Sequence, residues 1–156
     1  MGCDIHLHTE IRVNGVWHHY SHPRIPRRYG LFAKMAGVRG PIEGITPIDE
    51  PRGLPADVSF TTKLDADEWA ADGHSHSWLM GDEIAELLKW FDDAVTEDRK
   101  KRNAEEGKEV VSPWFSSEHE FFGYFFGNGW KLYPEERGEA YPECIEAVRA
   151  VFWFDN

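Results

Sequence analysis

The sequence predicts a small α+β domain, a mainly antiparallel sheet with an N-terminal hairpin and two or three helices packed on one face. Three observations predict it. Cys3 to Val13 alternates polar and apolar residues and runs into Asn14-Gly15, the strongest short-range hairpin signal, because both central residues of a type I′ turn need positive φ. Ile84, Leu87, Leu88, Phe91 and Val95 recur at helical spacing as one apolar stripe. The 156 residues are 41% hydrophobic and 14% aromatic, enough for one buried core and too short for a second. Residues 1 to 156 therefore read as a single domain.

With a two-residue turn, Val13 faces Val16, Glu10 faces His19 and His8 faces Ser21. Period-two alternation then sorts the hairpin. Ile5, Leu7, Thr9, Ile11 and Val13 share the buried face, and Asp4, His6, His8, Glu10 and His19 share the other. Residues 22–59 read as a long loop rich in Pro, Gly and Arg, and a stretch of that length in a compact domain points to function or disorder. One short helix interrupts it from Tyr29 to Val38, with Leu31, Phe32, Met35 and Ala36 inward and Gly37 as its stop. The stronger helix begins near Asp82 and dissolves into Glu97 to Lys108, which has no apolar face and predicts a solvated end leading to a mobile segment at 97–108. Ser117 and Glu120 form a capping box for a further helix carrying Phe121, Phe122, Phe125 and Phe126. Short strands are predicted at Trp130 to Tyr133 and Val148 to Phe154.

Charge and cysteine content bound the function. A net charge of −11 argues against binding duplex nucleic acid. Residues 11–53 nevertheless carry Arg12, Arg24, Arg27, Arg28, Lys34, Arg39 and Arg52 against Glu43, Asp49 and Glu50, a local basic excess that could hold an anion or simply balance surface charge. Cys3 and Cys144 lie at opposite ends with no CxxC pair, which indicates neither a disulfide framework nor a cysteine zinc site. No apolar run is long enough to span a bilayer and the start lacks a secretory signal, so a cytoplasmic protein without a membrane partner is expected.

The chemistry-bearing feature is a doubled DxHxH. Asp4-Ile5-His6-Leu7-His8 and Asp72-Gly73-His74-Ser75-His76 hold four of the eight histidines. On a strand, residues two apart project from one face about 6.6 Å apart, so His6 and His8 could reach one ion, and Asp4, Glu10 and His19 converge on that face. A hydrolytic Zn, Mn or Fe centre mixes imidazole with carboxylate and leaves a position for water. Asp4, His6, His8, Asp72, His74 and His76 are thus the candidate ligands, and Arg28, Arg39 and Arg52 the candidate phosphate clamps. The plainer reading is a solvated sheet face, with His74 and His76 in a tight loop, between Gly73, Ser75 and Ser77, that bonds backbone groups. His18 reads as a core or edge histidine, and His22 and His119 as structural.

The string DIHLHT at residues 4–9 resembles the first metal-binding motif of the PHP phosphoesterases, which implies a cluster of divalent metals and phosphoester hydrolysis. Over nearly its whole length the chain resembles a group of small phage and prophage proteins, through GCDIH at 2–6, RYGLFA at 28–33, AGVR at 36–39, PRGLP at 51–55, DGHSHSWL at 72–79 and FWFDN at 152–156. That resemblance implies a viral origin and action in a bacterial cytoplasm, and assigns no residue roles. The function expected is metal-assisted hydrolysis of a phosphorylated small molecule or nucleotide, in a counter-defence or host-takeover role. The alternative is a non-catalytic protein that sequesters a nucleotide signal or binds a host protein.

Overall fold

The computed structural model describes residues 2–25, 27–106 and 144–156. It is an α+β fold with a four-stranded antiparallel sheet in the order β2-β1-β4-β3. The elements in chain order are β1 (Asp4–Val13), β2 (Val16–Ser21), α1 (Tyr29–Ala36), α2 (Phe60–Trp69), β3 (His74–Met80), α3 (Gly81–Glu106) and β4 (Ala147–Asp155). None of the described helices is long and apolar enough to cross a membrane.

The hairpin turns at Asn14 and Gly15, with φ of 50° and 75°, and pairs Val13 with Val16 and Glu10 with His19 as predicted. The register then shifts. Thr9 rather than His8 faces Ser21, because Tyr20 is an extra residue on β2 and bulges the ladder. The Thr9 and Ser21 hydroxyls meet at 2.5 Å across this corrected register.

β4 lies between β1 and β3, and its parity fixes the two faces of the sheet. Ile5, Leu7, Phe152, Phe154, Ala150, Val148 and Leu79 form the apolar face with Leu31, Phe32, Met35 and Ala36 of α1 and Ile84, Leu87 and Leu88 of α3. Helix α1 stops where predicted, at Gly37, whose φ of 71° is left-handed and whose N–H bonds to the Ala33 carbonyl at 2.9 Å. Helix α3 runs through the charged segment as far as Glu106. The expected helix over 117–126 and strand over 130–133 lie outside the described residues.

The other face is polar and is covered too, by a helix the sequence does not announce. Helix α2 turns Thr62 and Ala66 inward and leaves Phe60 and Leu64 exposed, the reverse of an amphipathic pattern. Polar bonds hold it. Glu10 is fully buried and Arg149, opposite it on β4, is 3% exposed. Arg149 donates from Nε to Glu10 Oε1 at 2.8 Å and from Nη1 to Asp57 at 2.8 Å, and its guanidinium lies 4.0 Å from the Trp17 ring. Glu10 Oε2 accepts from the Ser59 N–H at 3.0 Å, from the Thr62 hydroxyl at 2.8 Å and from the Ser59 hydroxyl. The start of α2 is thereby bonded to the centre of the sheet.

β3 also departs from expectation, since residues 74–80 are a strand instead of a tight loop. Its ladder with β4 is broken between His74 and Ser77, where Ser75 takes a φ of 54°. The outer edge of β3 is held by the Gly53 N–H on the His76 carbonyl at 2.7 Å and the Arg52 N–H on Ser77 Oγ at 3.1 Å.

Removing one partner of a buried ion pair strands the other charge. Glu10→Ala is expected to lower unfolding free energy by about 3–5 kcal/mol, whereas Glu10→Met with Arg149→Met should recover most of that loss. Urea denaturation of the three proteins measures both effects.

Candidate functional site

Three imidazoles gather on the polar sheet face around one indole, and a fourth joins them through His8. Trp153 is fully buried. The rings of His6 and His8 from β1 lie near-parallel to it at 5.8 and 5.5 Å, and His76 from β3 lies likewise at 5.7 Å. His19 joins through His8. Gly73 makes this packing possible, since a Cβ there would sit 3.2 Å from Trp153 Cδ1 and 3.3 Å from Trp69 Cβ.

His8 has partners on both ring nitrogens. Its Nε2 is 2.6 Å from Asp65 Oδ2 on α2, and its Nδ1 is 2.9 Å from His19 Nε2 on β2. With Asp65 ionised, Nε2–H donates to the carboxylate and Nδ1 accepts from His19. Burial pulls the His8 pKa down to about 4, against a smaller upward pull from the Asp65 hydrogen bond. Burial also lowers His19 and His76. His8 is therefore neutral at pH 7, the form a metal ligand or a general base requires. His22, just beyond β2, stacks on His8 with ring centroids 3.9 Å apart. The donor atoms of His8, His22 and Asp65 all lie within 4.8 Å of one another.

Beside this cluster opens a cleft of about 500 Å³, lined by Gly2, Asp4, Arg27, Trp69, Asp72, Asp155 and Asn156, a size typical of small-molecule sites. His6 connects the two regions. Its Nε2 bonds Asp155 Oδ2 at 2.9 Å and its ring lies 4.0 Å from that of Trp69. Asp4 takes a two-point contact from Arg27, at 2.5 and 2.9 Å, and this hydrogen bonding keeps its carboxyl below the usual range.

The two DxHxH groups are thus brought together in part. Asp4 and Asp72 line one cleft, and His6, His8 and His76 surround one indole, but Trp153 stands between the first-motif imidazoles and His76. His74 pairs with Phe154 and stacks near it at 6.3 Å, so it belongs to the apolar face, because the irregularity at Ser75 turns the two imidazoles of the second motif to opposite sides.

The three arginines are dispersed. Arg52 is held by Glu83, Asp49 and the Trp78 carbonyl. Arg39 reaches Asn156 at the rim of the cleft at 3.4 Å and lies 5.3 Å from the Tyr29 ring. Arg28 occupies the N-cap position of α1, its carbonyl bonded by the Phe32 N–H at 2.9 Å. Sequence reasoning missed His22, Asp65, Trp69, Asp155 and Arg27. A proline after His22 and an unpatterned α2 hid the first two, and only FWFDN carried a hint of Asp155.

A pH dependence follows from His8. The unfolded chain takes up its proton near 6.5 while the folded protein holds off to about 4, so this contribution to stability is complete above pH 6.5 and is lost as pH falls to about 4. The loss is on the order of 3 kcal/mol. Melting temperature measured from pH 7 to 4 should fall over that window, and His8→Gln should flatten the fall.

Comparison of the chain with protein-family models, with curated proteins and with solved structures gives no match, and the functional reading rests on these residues.

Proposed function

We propose that the protein catalyses metal-assisted hydrolysis of a phosphorylated small molecule or nucleotide bound in the cleft beside His6. The observation that carries the reading is the meeting of Asp4 and Asp72, the leading carboxylates of both DxHxH groups, in one ligand-sized cleft. His6, bonded to Asp155 of that cleft, shares a sheet face with His8. On an acidic protein, a phosphorylated ligand is best accommodated with a divalent cation. The cation would acidify a bound water to make the nucleophile. Its donors are better supplied from the side of the neutral His8 than by the cleft carboxylates, since Asp4 and Asp155 are engaged by Arg27 and His6.

Arg27 in the cleft and Arg39 at its rim are the cations suited to meet charge on the phosphoryl oxygens. Trp69 offers a ring against which a base could stack. The resemblance to small phage proteins suits a counter-defence or host-takeover role.

A second reading, sequestration of a nucleotide signal without turnover, is favoured by Arg52. Its guanidinium is committed to Glu83, Asp49 and the Trp78 carbonyl, which does not suit it to the phosphate-clamping role that turnover would ask of it.

The test incubates the protein and manganese with mono-, di- and cyclic nucleotides and phosphomonoesters, then recovers the ligands after heat denaturation. Hydrolysis should be metal-dependent, fall at least about tenfold in kcat/KM in Asp72→Asn, and be abolished in His8→Ala. Ligand recovered intact throughout would reject hydrolysis and favour sequestration.

A further inference from the structure

We infer that His8, His22 and Asp65 form a binding site for one divalent transition metal, zinc in the first instance. Only His8 belongs to a DxHxH group. The three side chains come from β1, from the segment leaving β2 and from α2, and their donor atoms lie within 4.8 Å of one another. Ligands about 2.0–2.2 Å from a tetrahedral ion stand roughly 3.5 Å apart, so small side-chain rotations close the group onto one ion.

The donor chemistry selects the metal. Two imidazoles and one carboxylate suit zinc, manganese or iron, whereas magnesium and calcium prefer oxygen throughout. Three protein ligands leave a position for water, as in hydrolytic zinc centres. His22 is exposed and Asp65 half-buried, which gives an ion and a water access from solvent.

The surroundings supply an outer partner. When His8 Nε2 binds metal, its proton moves to Nδ1 and His19 shifts its own proton from Nε2 to Nδ1, so that His8 Nδ1–H donates to His19 Nε2 across the existing 2.9 Å contact. Such outer hydrogen bonds fix the tautomer and orientation of a ligating histidine. Stacking against Trp153 restrains the same ring, while the His22 ring leaves its stack on His8 to turn a nitrogen toward the ion. His22 meets His8 by ring stacking at 3.9 Å, and a shared ion gives that pairing of two imidazoles beside a carboxylate a polar purpose.

This centre stands on geometry alone and would exist in a non-catalytic protein as well. Full-length protein made without a polyhistidine tag, stripped by chelator, is titrated with zinc by calorimetry and with cobalt by visible absorption. The expected result is one equivalent bound, a cobalt spectrum of four- or five-coordinate type, and a rise in melting temperature. His22→Ala and Asp65→Asn should each weaken zinc binding at least about tenfold, and His19→Ala by about tenfold through its outer contact. His18→Ala, an exposed histidine on the opposite face, is the control, and circular dichroism checks that every variant folds. Less than about 0.2 equivalents of zinc bound, with no melting shift, overturns the proposal. One equivalent bound equally well by His22→Ala and Asp65→Asn overturns it too, and places the ion elsewhere. Zinc bound as expected with every phosphate ester recovered intact leaves this centre standing and removes the hydrolytic reading.

Discussion

The buried pair between Glu10 and Arg149 is the constraint on which the polar half of the structure depends. Two charges in the interior each carry a desolvation cost of several kcal/mol, and such a pair persists only where its remaining hydrogen-bonding capacity is met. Here it is met by Asp57, Ser59 and Thr62, so the segment entering α2 cannot leave the sheet without stranding a carboxylate and a guanidinium. Trp17 caps the guanidinium and excludes water from it. Helix α2 has no apolar stripe to bury, and this polar anchor sets where it starts. Its start sets where Asp65 and Trp69 fall, one and two turns further on, against His8 and His6.

A sheet face of this composition would ordinarily face water. Covered by α2 and centred on Trp153, it becomes a low-dielectric surface that disfavours imidazolium. The chemistry of the site is therefore a product of burial more than of any single neighbour. Burial keeps His8 in its ligand form beneath the same helix that delivers Asp65 to it. The cleft lies just outside this dry region, where Asp72 is exposed and Asp4 is bonded to an exposed arginine. A donor cluster built on a buried His8, with His22 and Asp65 open to solvent, beside a separate charged cleft is an arrangement in which ion and substrate can be selected separately.

Much of the fold was legible because local signals and tertiary demands agreed. The alternation in β1 and the Asn14-Gly15 turn specified a hairpin, Gly37 ended α1, and the Ile84-Leu87-Leu88-Phe91 stripe specified α3. Where local pattern and tertiary role conflict, the reading failed. The buried side of α2 is Thr62, Asp65, Ala66 and Trp69 while Phe60 and Leu64 face out, so no periodicity revealed it. The GHSHS stretch of β3 carries little strand propensity, and Ser75 breaks its parity. Tyr20 bulges for the same reason that no pattern foretold it, since an extra residue leaves the rest of the strand unchanged in composition. Of the candidate site, the shared face of His6 and His8 was legible from period two. The arrival of His22 and Asp65 was not, because each reaches His8 only through the packing of a separate segment.

The two edges of the sheet are finished differently. Along β3, the Gly53 N–H occupies the His76 carbonyl that a foreign strand would need, and Arg52, bonded through its own N–H to the Ser77 hydroxyl, is itself anchored to Glu83. Along β2 the strand is only six residues long and the bulge at Tyr20 twists its last third out of line with the ladder. Short, bulged edges are poor templates for strand addition. The same irregularity that displaces Ser21 onto Thr9 thus also makes this edge a poor template for edge-to-edge polymerisation of a chain rich in aromatic residues.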